Sequence, residues 1–187
     1  MYDLIGSLGF PTDLGLIGRL DLETTGIMIM TDDNKFGSAV RDPVLNYPIS
    51  PFKVKEYDVV LLGLKLNPAI YDDEELIRLM TEPFTFSRFG ITHQTSIPNV
   101  TIRKRWRDEA LSSGQLHLGW CALVSIELTE GKHHQIRRIA NRIGVHIVTL
   151  HRRRIAQILS TDDLPLGSAR WLTQPEVETI RCGLNIS

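Results

Sequence analysis

The sequence predicts an α+β fold in which a mainly antiparallel sheet is flanked by helices. Segments rich in β-forming residues follow one another, with few of the regular β-α-β crossovers that build parallel sheets. One segment has a clear helical apolar face. The 187 residues are 42% apolar and 23% charged, the balance of an ordinary globular protein. We therefore expect a single domain over 1–187.

The first elements follow from apolar runs and the residues that interrupt them. Residues 26–31, GIMIMT, are apolar almost throughout and predict a buried strand or another core segment. The acids that open 32–42 suit a helix N-terminus, so a short helix is expected there. Two prolines predict a loop at 47–53, and β-forming residues predict a strand at 54–63 that ends at Gly63.

The middle of the chain contains one helix signal followed by several strand signals. Acids in a first turn predict a short helix at 72–80. β-Forming residues predict four further strands, at 97–106, 117–131, 145–150 and 153–160.

The clearest element is the segment 134–144, HQIRRIANRIG. Its apolar residues recur at i, i+3, i+4 and i+7 and form one helical face, made of Ile136, Ile139, Ala140 and Ile143. Gly144 is placed to end this helix. A last helix is predicted at 173–184, with Thr173 near its cap and Pro175 in its first turn.

Positive charge is concentrated in the second half of the chain. Residues 1–100 carry 8 Lys and Arg against 14 Asp and Glu, whereas 101–187 carry 13 against 8. Four basic residues lie within 101–107, and seven lie within 131–161, which contains no acid. Such clusters are the usual footprint of a phosphate backbone. We therefore favour a nucleic-acid partner over a solvated face whose charges pair elsewhere in the fold.

Several classes of protein are disfavoured. No apolar run is long enough to span a bilayer, and the first ten residues have neither a basic region nor a signal-peptide core. Cys121 and Cys182 lie far apart without Cys or His spacing suited to zinc, so we expect no metal site and two reduced thiols. The expected compartment is the cytoplasm, or an organelle if a targeting segment precedes this start.

One carboxylate stands in an unusual setting. Asp21 follows Arg19, precedes a Thr-Thr-Gly turn and is flanked by Leu20 and Leu22. The segment is no phosphate loop, because the glycines and the Lys-Ser/Thr pair of that motif are absent. A turn residue that caps backbone N–H groups explains Asp21 from spacing alone. The alternative is a carboxylate at the rim of an apolar cleft that acts as nucleophile or base.

Two further segments contain residues that could work with Asp21. Tyr57, in a predicted strand, is explained as a core residue whose hydroxyl lies at the edge. On the amphipathic helix, Arg138 and Arg142 lie opposite the apolar stripe, while Arg137 lies at its flank, where a buried guanidinium needs an anionic partner. Asp21 is a candidate for that partner. The alternative is that all three arginines are solvated or contact phosphates.

These segments, in this order, resemble the pseudouridine synthases, most closely the ribosomal small- and large-subunit enzymes of the RsuA type. GRLDLETTGIMIMTDD (18–33) is similar to that family's Gly-Arg-Leu-Asp motif, and KEY (55–57) to its Lys-x-Tyr motif. The block 128–173 is similar to its C-terminal motifs: the Glu-Gly-Lys turn, the Gln-x-Arg-Arg helix, the Leu-x-Arg strand and the Leu-Pro-x-Gly loop.

The resemblance implies a role for each matching residue. Asp21 would be the catalytic aspartate, Tyr57 would lie against the target base and help to remove its carbon-5 proton, and Arg137 would pair with Asp21. The substrate pocket would be lined by Arg19, Leu20, Ile136 and Leu150. Contacts to RNA are expected from the basic residues of the same region: Lys132, Arg138, Arg142, Arg152, Arg153 and Arg154.

The implied reaction converts a uridine of RNA to pseudouridine without a metal or cofactor. The nucleotide must first leave its stack, at a cost of about a few kcal/mol. Asp21 then either attacks carbon 1′ or assists elimination from the sugar, and both routes stay open. Ribosomal RNA is the favoured partner and tRNA the other. The alternative function is an RNA-binding or ribosome-assembly protein that keeps the fold without turnover. A carboxylate-dependent hydrolase is disfavoured, because no second acid stands in an apolar setting at a fixed short distance.

The resemblance also implies two absent parts. The family has several dozen residues before its Gly-Arg-Leu-Asp motif, including a Lys-Pro-x-Gly strand, and often a small N-terminal RNA-binding domain. Here 17 residues precede Gly18. We therefore expect one bare sheet edge, and a bare edge favours self-association.

Overall fold

A computed structural model of the chain describes residues 2–41, 54–108, 119–156 and 158–184. The chain forms two compact units, one from 1–55 with 152–187 and one from 56–151. Each unit has its own hydrophobic cluster. That 1–187 is a single domain stays a prediction, and the loop predicted at 47–53 lies outside the described residues.

The elements follow one another along the chain. The N-terminal ones are α1 (Tyr2–Ser7), β1 (Gly15–Ile17), β2 (Thr25–Gly26), β3 (Ile29–Thr31) and α2 (Asn34–Arg41). The central ones are β4 (Lys55–Leu62), a 3-10 turn (Leu64–Leu66), α3 (Asp73–Thr81), β5 (Thr85–Arg88), β6 (Ile91–Gln94) and β7 (Asn99–Arg107). The C-terminal ones are β8 (Trp120–Leu128), α4 (Gln135–Ile143), β9 (His146–Ile155), β10 (Leu159–Ser160) and α5 (Gln174–Leu184).

In the first unit, short strands surround a small core. Strand β1 pairs antiparallel with β3, β10 pairs antiparallel with the end of β9, and β2 pairs with β9. The apolar run 26–31, predicted as one strand, forms parts of two strands that are separated by Ile27 and Met28. The backbone φ of Gly26 is 124°, a value that a regular strand does not contain. The buried core consists of Ile17, Ile27, Ile29, Phe36, Val40, Ile155, Ala156, Leu159 and Ile180.

Side chains hold the first turns of both longer helices of this unit. An oxygen of Asp33 accepts hydrogen bonds from the backbone N–H groups of Lys35 and Phe36, at 2.8 and 3.0 Å. Before α5, the carboxylate of Glu176 accepts the N–H of Thr173 at 2.7 Å, while the Thr173 hydroxyl accepts the N–H of Glu176 at 3.4 Å. This reciprocal pair is a capping box. The helices predicted at 32–42 and 173–184 are confirmed.

In the second unit, the strand order is β9-β4-β8-β7. Strands β7 and β8 are antiparallel, with Asn99 opposite Glu127 and an irregularity between Ile102 and Lys104. Strands β5 and β6 form a separate antiparallel hairpin that the sequence analysis did not predict. The predicted α+β fold with a mainly antiparallel sheet is thereby confirmed.

Helix α4 has the apolar face that its periodicity predicts. The side chains of Ile136, Ile139, Ala140 and Ile143 are buried in the core of the second unit. Gly144 ends the helix with a φ of 74°, the left-handed conformation that glycine adopts without strain. Two strands were predicted at 145–150 and 153–160, but the break between them was placed wrongly. Strand β9 runs unbroken through the basic stretch, and only its last two-residue partner, β10, is separate.

Both cysteines are free, as predicted. Cys121 is buried in β8, where burial and then the charge of Asp108 raise the pKa of its thiol, and Cys182 is exposed on α5. Across the described residues, every helix is too short or too polar to cross a membrane. The same residues contain no group of three or more His, Cys, Asp or Glu side chains suited to a metal ion.

Candidate active site

Asp21 lies on a loop of the first unit that leaves β1 at Gly18, whose φ is 78°. The backbone carbonyl of Asp21 accepts the N–H of Thr24 at 2.9 Å, which closes a turn directly after the carboxylate. The Asp21 side chain is half-buried. Leu20 is half-buried too, but Leu22 is 102% exposed, so the apolar setting that the sequence suggested exists on one side of Asp21 and not on the other.

Arg152 holds both ends of this loop. Its Nε and Nη2 donate to the carbonyl oxygen of Ile27 at 3.0 and 2.6 Å, and its Nη1 lies 3.5 Å from the carbonyl oxygen of Arg19. In return, the N–H of Ile27 donates to the carbonyl of Arg152 at 3.0 Å. The Asp21 loop is therefore fixed on β9 by one guanidinium that bonds backbone oxygens before and after it.

The position of Arg152 corrects its predicted role as an RNA contact. Only 4% of the residue is exposed, because its guanidinium turns inward to the Asp21 loop. A phosphate outside the protein cannot share those donors. Strand geometry provides the reason, since successive side chains of β9 point to opposite faces and Arg152 shares the face of the buried Leu150.

Gly26 makes the close approach of the loop to β9 possible. A Cβ on Gly26 would lie 2.6 Å from the backbone nitrogen of Arg152 and closer still to its carbonyl oxygen. The φ of 124° at this position is also one that residues with side chains rarely adopt. The Thr-Thr-Gly turn therefore requires glycine at this position, because the backbone of Arg152 occupies the space that a side chain would need.

Lys55 is a titratable residue near the same guanidinium that the sequence analysis did not single out. Burial lowers the pKa of its ammonium, and the positive charge of Arg152 lowers it further. The first residue of the KEY segment therefore has a lower pKa than an ordinary lysine. Its sequence gave one usable signal, namely a lysine at the start of a strand that continues into a buried core.

The second unit brings three predicted site residues into one cluster. Ile136 and Leu150 are buried in its core, and the half-buried Tyr57 packs against that core from β4. Arg137 follows Ile136 on α4 and is half-buried. The structure therefore groups the predicted base contact with two predicted pocket residues. The ion pair between Asp21 and Arg137 stays a prediction.

The turn before α4 is fixed by Glu130. Its carboxylate accepts hydrogen bonds from the N–H of Ser96 at 2.6 Å and from the Gln135 amide at 2.8 Å, and lies 2.9 Å from the Lys132 ammonium. Burial alone would raise the pKa of Glu130, but these hydrogen bonds together outweigh it and lower the pKa. Lys132 also donates to the carbonyl of Gln94, so this predicted RNA contact is engaged within the protein.

Arg138 and Arg142 do not extend into solvent as their positions on the helix suggested. The guanidinium of Arg138 lies 4.1 Å from the ring centre of Phe86, and that of Arg142 lies 5.0 Å from the ring centre of Phe84. Arg142 also donates to the carbonyl of Leu79 at 2.5 Å. Because the β5–β6 hairpin was not predicted, the sequence offered no reason to expect aromatic rings beside α4.

Arg153 and Arg154 pair with an acid that lies just beyond the basic run. Both guanidinium groups bond Asp162, at 3.0 and 3.1 Å. The hydrogen bond from Arg153, followed by those from Ser160 and Arg154, lowers the pKa of Asp162 far below its ordinary value. The basic stretch of β9 is therefore neutralised in part by the turn that follows it, contrary to what its acid-free sequence suggested.

Comparison with known proteins assigns the chain to a family. The sequence profile of the family described as RNA pseudouridylate synthase matches residues 5–142. The chain belongs to this family. The matched stretch contains Asp21, Tyr57 and Arg137, whereas Leu150 and Arg152 follow it.

Individual relatives agree with the family. The chain is 30% identical over 168 residues to ribosomal small subunit pseudouridine synthase A of Vibrio cholerae, and 26% identical over 163 residues to that of Escherichia coli strain K12. A crystal structure described as a pseudouridylate synthase matches 90% of the chain with a TM-score of 0.62 and 25% identity. The chain itself spans 59% and 57% of the two curated relatives and 60% of the crystallised chain.

Proposed function

We propose that this chain is an RNA pseudouridine synthase that isomerises a uridine of ribosomal RNA. The observation that carries the proposal is the family match, because one continuous match includes all three predicted catalytic residues. The relatives are ribosomal small subunit pseudouridine synthases, which favours the RNA of the small ribosomal subunit. A substrate in tRNA is the less favoured candidate.

In this proposal Asp21 acts at carbon 1′ of the flipped nucleotide. In the nucleophilic route its carboxylate bonds to carbon 1′ while the bond from carbon 1′ to nitrogen 1 breaks. After the base turns, carbon 5 attacks carbon 1′ and displaces the carboxylate, and the carbon-5 proton leaves with the help of Tyr57. In the elimination route Asp21 instead helps to remove a proton from the sugar. In either route Arg137 would be the cationic partner of this carboxylate.

The anchoring of the Asp21 loop supports this role. A nucleophile must be held in place before its substrate arrives, and second-layer hydrogen bonds are the usual means. Arg152 supplies such bonds from one buried side chain. A carboxylate that served only to cap a turn would not require a buried guanidinium behind it.

The deciding experiment compares Asp21→Asn with the parent in release of tritium from carbon-5-labelled uridine in a small-subunit rRNA transcript. The substitution is nearly isosteric but removes the charge and the nucleophile. We expect a folded variant with parental RNA affinity and no detectable release. Asp32→Asn, an exposed acid of the same unit, is the matched control and should keep full release.

Two outcomes would contradict the proposal. Equal release by parent and Asp21→Asn would reduce Asp21 to a turn residue, whose loss costs at most about 1 kcal/mol of stability. RNA binding by the parent without any release would favour the alternative of a binding or ribosome-assembly protein. The absence of a cofactor, the compartment and self-association through a bare sheet edge stay predictions.

A further inference from the structure

The β5–β6 hairpin has an unsuitable residue at its tip. Arg88 pairs with Ile91, so the turn consists of Phe89 and Gly90, whose φ angles are 50° and 77°. Positive φ at both positions is the pattern of a type I′ turn, which favours Asn-Gly or Asp-Gly. A bulky side chain at the first position is strained. The demands of the turn therefore do not explain Phe89.

The ring of Phe89 is also the one that the hairpin leaves uncovered. The rings of Phe84 and Phe86 lie under the guanidinium groups of α4, and His93 stacks on Phe86 at 5.3 Å. By contrast, Phe89 is 88% exposed. The guanidinium of Arg88 lies 4.9 Å from the centre of this ring. An aromatic face thus stands in solvent directly beside a cation.

The charge of the hairpin identifies the kind of molecule that fits this tip. Residues 83–98 contain Arg88 and no Asp or Glu. An exposed ring beside a guanidinium, without nearby acids in the same segment, combines the two features of a site for single-stranded nucleic acid: a surface on which a base stacks and a cation for the backbone. A purely apolar partner would not require the cation.

The tip rests on a rigid base. Arg138 and Arg142 of α4 stack on two aromatic rings at the base of the hairpin. The Lys132 ammonium also donates to the carbonyl of Gln94 at the end of β6. Where β6 ends, the N–H of Thr95 donates to the carbonyl of Phe84 at 2.9 Å. A base stacked on Phe89 would therefore be held at a defined position relative to the helix that carries Arg137.

We propose that the hairpin tip is a second RNA-binding site, at which an unpaired base stacks on Phe89 while Arg88 contacts the adjacent phosphate. The inference rests on the proposed function, which makes RNA the substrate. It adds a site that recognises a single-stranded nucleotide other than the target uridine. Arg138 and Arg142 then act as supports of the hairpin rather than as phosphate contacts.

The test measures binding of the full chain to a fluorescein-labelled oligouridylate of about 12 nucleotides, and to its duplex with oligoadenylate. Phe89→Asn is the main variant, because asparagine suits the turn and the hairpin should keep or gain thermal stability. Stacking predicts a loss of about 5- to 100-fold in affinity for the single strand and little change for the duplex. Phe89→Trp should restore binding, and Ile97→Ala, an exposed apolar residue of the same unit, should bind as the parent does.

Salt dependence separates the two parts of the site. Arg88→Gln should reduce the slope of log affinity against log salt by about 0.7, whereas Phe89→Asn should leave the slope unchanged. Parental affinity in Phe89→Asn, or an equal loss for single strand and duplex, would overturn the proposal and leave the tip as a contact for protein. Because no turnover is read, failure here is distinct from a parent that releases no tritium.

Discussion

The Asp21 loop and helix α4 hold predicted catalytic residues by opposite means. The loop is held by hydrogen bonds from Arg152 and by the close approach of two backbones that Gly26 allows. Helix α4 buries a continuous apolar stripe in the core of its unit, in addition to polar contacts such as that of Gln135 with Glu130. A substitution that adds or removes a few atoms at Gly26 or Arg152 should therefore displace the loop locally. A substitution in the α4 stripe should instead lower the unfolding free energy in proportion to the apolar volume removed.

The largest effect is expected from Gly26→Ala. Strain at this φ and the overlap with the Arg152 backbone should together cost about 4 kcal/mol of unfolding free energy. Denaturant titration measures the cost, and hydrogen exchange should locate it in the Asp21 loop and β9. Gly131→Ala, where a Cβ meets nothing within 4 Å, is the control. A mild Gly26→Ala would show that the two backbones separate without loss.

Ile139→Ala tests the other side of the comparison. The residue is 2% exposed at the centre of the α4 stripe, so its truncation should leave a cavity and cost about 3 kcal/mol. Exchange should rise throughout the second unit rather than at one segment. If only α4 amides respond, the helix is held as locally as the loop and the contrast is wrong.

Arg152→Met should cost about 2 kcal/mol, because the carbonyl of Ile27 loses its charged donor while the apolar stem is kept. Tritium release should fall although Asp21 is intact. Removal of the guanidinium should also raise the pKa of Lys55, whose burial remains, and NMR of the lysine side chain measures this shift. Arg153→Met, which breaks a partly exposed pair with Asp162, should cost under about 1 kcal/mol.

Apart from the Arg153→Met comparison, the smallest effect should come from Glu176→Gln, in a helix whose start depends on polar contacts as the loop does. The hydrogen bond from Arg170, and then those from Thr173, lower the pKa of Glu176 to about 2. Because the folded pKa lies below the unfolded one, the contribution is complete above the unfolded pKa and is lost as the pH falls through the folded pKa. The variant should lose about 1 kcal/mol at neutral pH. Thermal melts should converge with the parent's between about pH 5 and pH 2.

Periodicity was sufficient to predict α4 because every apolar residue of its stripe meets the core. The prediction from β-forming residues was less accurate for β9, which it divided into two strands at His151 and Arg152. Nothing local to the sequence indicates that Arg152 turns inward. Its partners are the backbone oxygens of Arg19 and Ile27, more than a hundred residues away along the chain.

The sequence suggested candidate site residues, whose roles stay predictions, but it did not indicate the side chains that support them. Asp21, Tyr57 and Arg137 were identified by resemblance, and the family match includes all three. Arg138 and Arg142 were expected to face outward and contact RNA, because helical spacing reveals which residues leave the stripe and not what lies beside them. The hairpin beside them was not predicted, because its strands are short and alternate only weakly between apolar and polar residues. Its first turn residue, Phe89, also does not suit the turn.

The two free thiols offer one reporter for each unit. Cys182 is exposed on α5, so a maleimide should modify it in the folded protein and attach a dye to the first unit without any mutation. Cys121 is buried in β8, and its raised pKa further suppresses the reactive thiolate. Its rate of alkylation therefore counts openings of the second unit. Wild-type protein thus contains one thiol for labelling the first unit and one whose alkylation rate reports opening of the second unit. Both can be measured in one sample.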